Sequence, residues 1–145
     1  MAENTKKVVV DASIILAKLL PDEAARPKIK KLFSSFEKGA VDFLAPSLLR
    51  YEVANALRSA IKQKRLAKNT GVKLLEAFLR LPIIYEEINY EETLAISLGE
   101  NLSFYDAAYV FLSSRKNIAL KSLDQKLMEA SRRPHQPPGL KTKTN

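Results

Sequence analysis

The sequence predicts an α/β fold, a short and mainly parallel sheet of four to five strands sandwiched by about seven helices. Three observations predict it. Short β-branched runs alternate with longer stretches of helical period, the pattern of a parallel sheet with helical crossovers. The run VVV at 8–10 has no polar alternation, as expected of a strand covered on both faces. The chain has 145 residues, 46% of them hydrophobic, enough for one core.

The elements follow in order. Residues 6–10 read as a first strand, and 12–20 as a helix that Pro21 stops. Asp22 and Glu23 suit a helix start, and a basic amphipathic helix is expected over 24–37 until Gly39 breaks it. A second strand covers 42–45. Pro46 and Ser47 open a long helix to about residue 64, in which Leu49, Val53, Ala56, Leu57, Ala60 and Ile61 keep the helical period. Residues 68–81 form a helix before Pro82, and 83–88 a third strand. Helices over 91–100 and 105–115 flank a loop, 118–120 is a fourth strand, and 124–131 a last helix. A single domain is expected over 1–131. A basic, Pro-containing tail over 132–145, holding Arg132, Arg133, Lys141 and Lys143, is expected to be mobile.

Composition removes several chemistries. There is no cysteine, so no disulfide, thiolate nucleophile or cysteine-ligated metal. His135 is the only histidine, read as an exposed tail residue, so one chain cannot build a histidine acid–base pair. No Gly-rich phosphate loop occurs. No run of eighteen apolar residues suggests a membrane span, and the first residues lack a secretory leader's apolar core, so a cytoplasmic protein is expected. The net charge of +8 suits a polyanionic partner, although half of the excess lies in the tail.

The acids carry the remaining signal. Only five aspartates occur. Asp11 ends the first strand, Asp124 follows the fourth, and Asp106 opens the helix before it. Ligands of open parallel sheets bind at the carboxyl ends of the strands, so these acids are expected along one edge. Glu52 lies in the long helix, where Asn55 shares its side and is placed to steady it. Each acid alone has a plainer reading: Asp11 and Asp124 as helix caps, Ser103 and Asp106 as a capping box, Glu52 as a partner for Arg58 or Lys62.

Taken together, V-V-D-A-S-I-I (9–15), E-V-A-N-A-L (52–57), S-F-Y-D-A-A-Y (103–109) and S-L-D-Q-K-L (122–127) resemble the four signature blocks of the PIN-domain family, on the branch of VapC-like ribonuclease toxins of toxin–antitoxin pairs. The resemblance covers residues 8–131. It assigns the acidic site to Asp11, Glu52, Asp106 and Asp124, with small hydroxyls at Ser13 and Ser122 and an asparagine at Asn55. Ser122 stands where threonine is common in the family. Gln125 and Lys126 stand where some members carry a further acid. The resemblance implies an endoribonuclease leaving 5′-phosphate and 3′-hydroxyl ends, a homodimer, and a small cognate antitoxin.

Crowded carboxylates raise one another's pKa values unless a cation offsets them, and all-oxygen ligands favour Mg²⁺ or Mn²⁺, one or two ions. Asp11, Asp106 and Asp124 are expected to hold a first ion, and Glu52 a water or a second ion. An acidic centre repels RNA, so a basic rim is needed. Arg50, Arg58, Lys62, Lys64, Arg65 and Lys68 are the candidates, with a solvated helix face as the plainer reading. Tyr105, Tyr109 and Phe104 are candidates for stacking on a base, with core packing as the plainer reading of Phe104 and Tyr109. Other readings are a housekeeping nuclease of ribosomal or transfer RNA, a catalytically silent binding module of the same fold, and an Mg²⁺-dependent phosphotransfer domain. The last lacks a second acid at Ser13 and an acidic pair before Asp11.

Overall fold

The computed structural model describes residues 5–21 and 26–135. Its elements run β1 (Lys6–Val10), α1 (Ala12–Leu19), α2 (Pro27–Glu37), β2 (Val41–Pro46), α3 (Leu48–Lys62), α4 (Lys68–Leu79), β3 (Ile84–Glu86), α5 (Tyr90–Glu100), α6 (Phe104–Lys116), β4 (Ala119–Lys121) and α7 (Gln125–Arg132). This is the expected α/β architecture, with four strands and seven helices among the described residues. The expected start of the second helix at residue 24, with Asp22 and Glu23, lies outside the described residues. Pro27 opens α2 instead, a position where a missing N–H costs nothing.

The sheet is parallel throughout, in the order β3-β2-β1-β4. β1 is central, pairing Val8 with Phe43 on one side and with Ala119 on the other. The chain moves outward from β1 through β2 to β3, then returns to place β4 on the opposite side. The carboxyl ends of β1 and β4 therefore flank a topological switch point, where a crevice opens in such sheets. Val8, Val9 and Val10 are fully buried, as both faces of β1 require.

The helices divide by their burial. α6 packs against β1, β2 and β4, and every residue from Ala107 to Ser113 is buried, which is why this helix shows little amphipathic contrast. α2 covers β2 through an aromatic cluster: Phe36 stacks on Phe43 at 4.1 Å between centroids, and Phe33 meets Phe43 edge-on at 5.4 Å. The last helix, expected over 124–131, spans Gln125–Arg132. His135, however, is not an exposed tail residue. Its Nε2 lies 2.8 Å from the Ala130 carbonyl oxygen, its own carbonyl accepts from Ser114 Oγ, and Arg133 beside it pairs with Glu100. The last ten positions of the expected tail lie outside the described residues. Among the described residues no helix is long and apolar enough to cross a membrane.

Truncating Phe43, which is completely buried, should cost about 3–5 kcal/mol. Urea denaturation of Phe43→Ala checks this, and a loss below 1 kcal/mol would mean that the cluster contributes little.

Candidate active site

The site is built around the end of β1. Val10 brings the chain to the sheet's carboxyl edge, and Asp11 follows as the N-cap of α1. Its carboxylate is almost wholly buried, at 6% exposure. Oδ1 accepts from Ser13 Oγ at 2.5 Å and from the Ile14 N–H at 3.3 Å, and Oδ2 accepts from Ser122 Oγ. The Asp11 N–H donates to the Lys121 carbonyl oxygen at 3.3 Å, continuing the β1–β4 ladder. The two serines are fixed in turn, Ser13 Oγ accepting from the Leu123 N–H and Ser122 Oγ from the Asp124 N–H. One buried carboxylate thus joins segments more than a hundred residues apart. Burial raises the Asp11 pKa, opposed by the hydrogen bonds from Ser122, Ser13 and the backbone.

The other three acids arrive on separate helices. Glu52, half-buried, lies in the second turn of α3 and accepts from the Tyr109 hydroxyl at 2.5 Å. Burial raises its pKa; the Tyr109 hydrogen bond opposes this, and the charges of Asp106 and Asp11 add to it. Asp106 stands in the first turn of α6, its N–H donating to the N-cap Ser103 Oγ at 3.1 Å. Burial raises its pKa first, then the charges of Asp124 and Asp11, with Ser103 and Lys126 acting the other way. Asp124, exposed, caps α7 by accepting from the Leu127 N–H at 3.2 Å. Asp11, Asp106 and Asp124 all stand at helix N-termini, where the backbone favours anions.

Glu52 and Asp106 both feel the charge of Asp11, and Asp106 also feels that of Asp124. Yet among the described residues no three of them stand close enough to ligate one ion jointly. Each is anchored to its own surroundings: both oxygens of Asp11 serve serines, one of Glu52 serves Tyr109, and one of Asp124 serves its helix. The donor set is nonetheless all oxygen, and Mg²⁺ takes only one or two carboxylates directly while keeping several waters.

The PIN domain family model matches residues 8–132. The chain belongs to the PIN-domain family. It is 34% identical over 123 residues to Ribonuclease VapC9 of Mycobacterium tuberculosis, covering 84% of this chain and 89% of that protein. It is 33% identical over 128 residues to Ribonuclease VapC3 of Pyrobaculum aerophilum, covering 85% and 93%. In fold it is similar to the solved structure of PAE2754 from Pyrobaculum aerophilum, with a TM-score of 0.70 at 20% identity, covering 91% of this chain and 89% of that one.

Ser13 and Ser122 donate to Asp11, and Ser103 caps the helix that carries Asp106. Asn55 does not steady Glu52: it is exposed, and the partner of Glu52 is Tyr109, whose side chain is 1% exposed. Burial, then the charge of Glu52 and the hydrogen bond to it, raise the Tyr109 pKa and keep the phenol protonated as a donor. Periodicity marks Tyr109 as core, which it is; only its hydroxyl, which needs a partner when buried, signalled a further role. Tyr105 is 64% exposed, while Phe104 stacks against Tyr90 at 5.7 Å.

The six basic candidates are all exposed. Arg50 lies over the Tyr85 ring at 4.3 Å. Arg58 and Lys62, one turn apart on α3, form a ridge running away from Glu52, Lys62 lying roughly 15 Å along the axis at 1.5 Å per residue. Lys64, Arg65 and Lys68 continue past the helix end.

A carboxyl whose folded pKa is raised binds more protons folded than unfolded between the two values, so its ionisation costs stability as pH rises through that window. In metal-free buffer at neutral pH, Asp106→Asn should therefore melt higher than the native chain, by about 1–3 °C. The gain should vanish as pH falls toward 3.8, the ordinary aspartate value. A variant that melts lower at neutral pH would contradict the electrostatic reading.

Proposed function

We propose that this chain is an Mg²⁺- or Mn²⁺-dependent endoribonuclease and the toxin of a toxin–antitoxin pair. The observation that carries the reading is Asp11: a buried carboxylate at the β1–β4 switch point, raised in pKa and coupled to Glu52 and Asp106. A fold seldom retains such repulsion unless a cation relieves it. The ribonuclease names of the curated relatives support RNA as the substrate class.

In this reading one or two of Asp11, Asp106 and Asp124 would hold the ion directly and the others through its waters. A bound dication supplies Lewis acidity toward a phosphoryl oxygen and lowers the pKa of a coordinated water. Glu52 would orient the attacking water and accept its proton. Tyr109 fixes Glu52 by donating to one oxygen, which leaves the other for this work. Ser13 and Ser122 hold Asp11 in a single orientation, so that its charge is in place before substrate arrives. Arg50 and the Arg58–Lys62 ridge, with Lys64, Arg65 and Lys68, draw the phosphate backbone toward an otherwise repellent acidic centre. Tyr105, next to Asp106 and exposed, offers a ring to a base. The products carry 5′-phosphate and 3′-hydroxyl ends. A homodimer and a small antitoxin that covers the acids complete the assignment, in the cytoplasm.

The purified chain should cut synthetic RNA only with Mg²⁺ or Mn²⁺, and a chelator should stop it reversibly. Asp11→Asn keeps a capping side chain and should lower the rate on the order of a hundredfold while the circular dichroism spectrum is unchanged. Cleavage that survives the chelator, or equals the native rate in Asp11→Asn, would refute the assignment. Tyr109→Phe should lower turnover about tenfold with little change in KM. An equal loss in a Tyr109→Phe, Glu52→Gln double variant and in Glu52→Gln alone would show that the hydroxyl acts through Glu52, whereas additive losses would show that it does not.

A further inference from the structure

Resting on the ribonuclease reading above, we infer that the Arg50 guanidinium, set over the Tyr85 ring, is a fixed phosphate subsite for RNA beside the acidic pocket, with Tyr85 as its positioning residue.

Arg50 lies in the first turn of α3, directly after β2, and its guanidinium carbon stands 4.3 Å from the Tyr85 ring centroid. Tyr85 lies on β3, half-buried and packed against the hydrophobic core. Packing fixes the ring, and cation–π attraction lets the ring fix the guanidinium in turn. A guanidinium has five N–H donors and keeps most of them available when a ring takes one side. Arg50 is exposed, and among the described residues no carboxylate stands within ion-pair distance of it. A cation held in place, open to solvent and without a carboxylate partner is ready for an anion from outside. Arg58, Lys62, Lys64 and Lys68 have no such ring among the described residues. They keep the freedom of long side chains and lose it on binding, a cost that Arg50 has largely met already.

The sheet puts this pair on the edge that carries the acids. Val9 pairs with Leu44, and Leu44 with Ile84, so Tyr85 stands level with Val10, one residue short of Asp11. β3 is two strands from β1, about 10 Å at the usual strand spacing. Arg50 is two residues from Glu52 in sequence, yet on the other side of α3. The subsite thus lies off the acidic pocket, where it meets a neighbouring phosphate of the same RNA strand while the scissile one faces the acids. The planar fork of arginine matches phosphate oxygens, and such a contact sets register without reading the base.

Anisotropy of a short fluorescein-labelled single-stranded RNA in EDTA measures the subsite apart from cleavage, and KM and kcat follow on the same RNA in Mg²⁺. Arg50→Ala should weaken binding and raise KM about tenfold. It should lower the slope of log affinity against log salt by about 0.7, with kcat kept within about twofold. Tyr85→Leu should weaken binding about threefold. Tyr85→Phe keeps the ring face and should bind as the native chain does, and Tyr85→Leu should cost nothing more once Arg50 is alanine. Native affinity and salt slope in Arg50→Ala would overturn the subsite. A loss in Tyr85→Leu that persists beside Arg50→Ala, or that Tyr85→Phe shares, would overturn the positioning role. A native chain that neither binds nor cuts RNA would instead overturn the ribonuclease reading itself.

Discussion

The carboxylate of Asp11, held by two serine hydroxyls from opposite ends of the chain, is the constraint on which the rest depends. It stands where the central strand stops and α1 begins, so the backbone after β1 must leave the sheet there. Its tie to Ser122 fixes where β4 ends and where Asp124 can start α7. A buried charge with this many donors is specific about its neighbours, because losing any one donor leaves part of the charge unsatisfied. The same group locks the topology and concentrates negative potential at the switch point.

Parallel topology explains why acids so distant in sequence meet. Each crossover returns the chain to the same edge, and each helix that starts there offers backbone N–H groups to an anion. Asp11, Asp106 and Asp124 use three such starts, while Glu52 reaches in from the second turn of α3 and is held by Tyr109 from α6. Because α6 is buried on every side from Ala107 to Ser113, Tyr109 cannot move without disturbing the core. Rigidity of the packing thereby becomes rigidity of the site.

Much of this is legible in the residues. VVV followed by Asp gives β1 and its terminus, the helical period gives α3, and four short blocks in order give the family. What the sequence conceals depends on three-dimensional contact. Helical spacing pairs Asn55 with Glu52, but α3 rolls Asn55 into solvent and α6 supplies the phenol instead. The lone histidine looks like tail, yet the chain folds back after α7 so that its ring meets Ala130. The basic residues after Glu52 look like one cluster, yet the rise of the helix spreads them into a ridge. Carboxylates that share an edge in one dimension also need not share a ligation point, because each is held by its own cap or hydroxyl.

The central claim is that this edge of the sheet is a cation site. Anomalous diffraction from crystals soaked in Mn²⁺ tests it most directly. An anomalous peak is expected at the β1–β4 crevice, adjoining Asp11 and Asp106. Peaks only elsewhere on the protein, from crystals of a preparation that cleaves RNA, would contradict it.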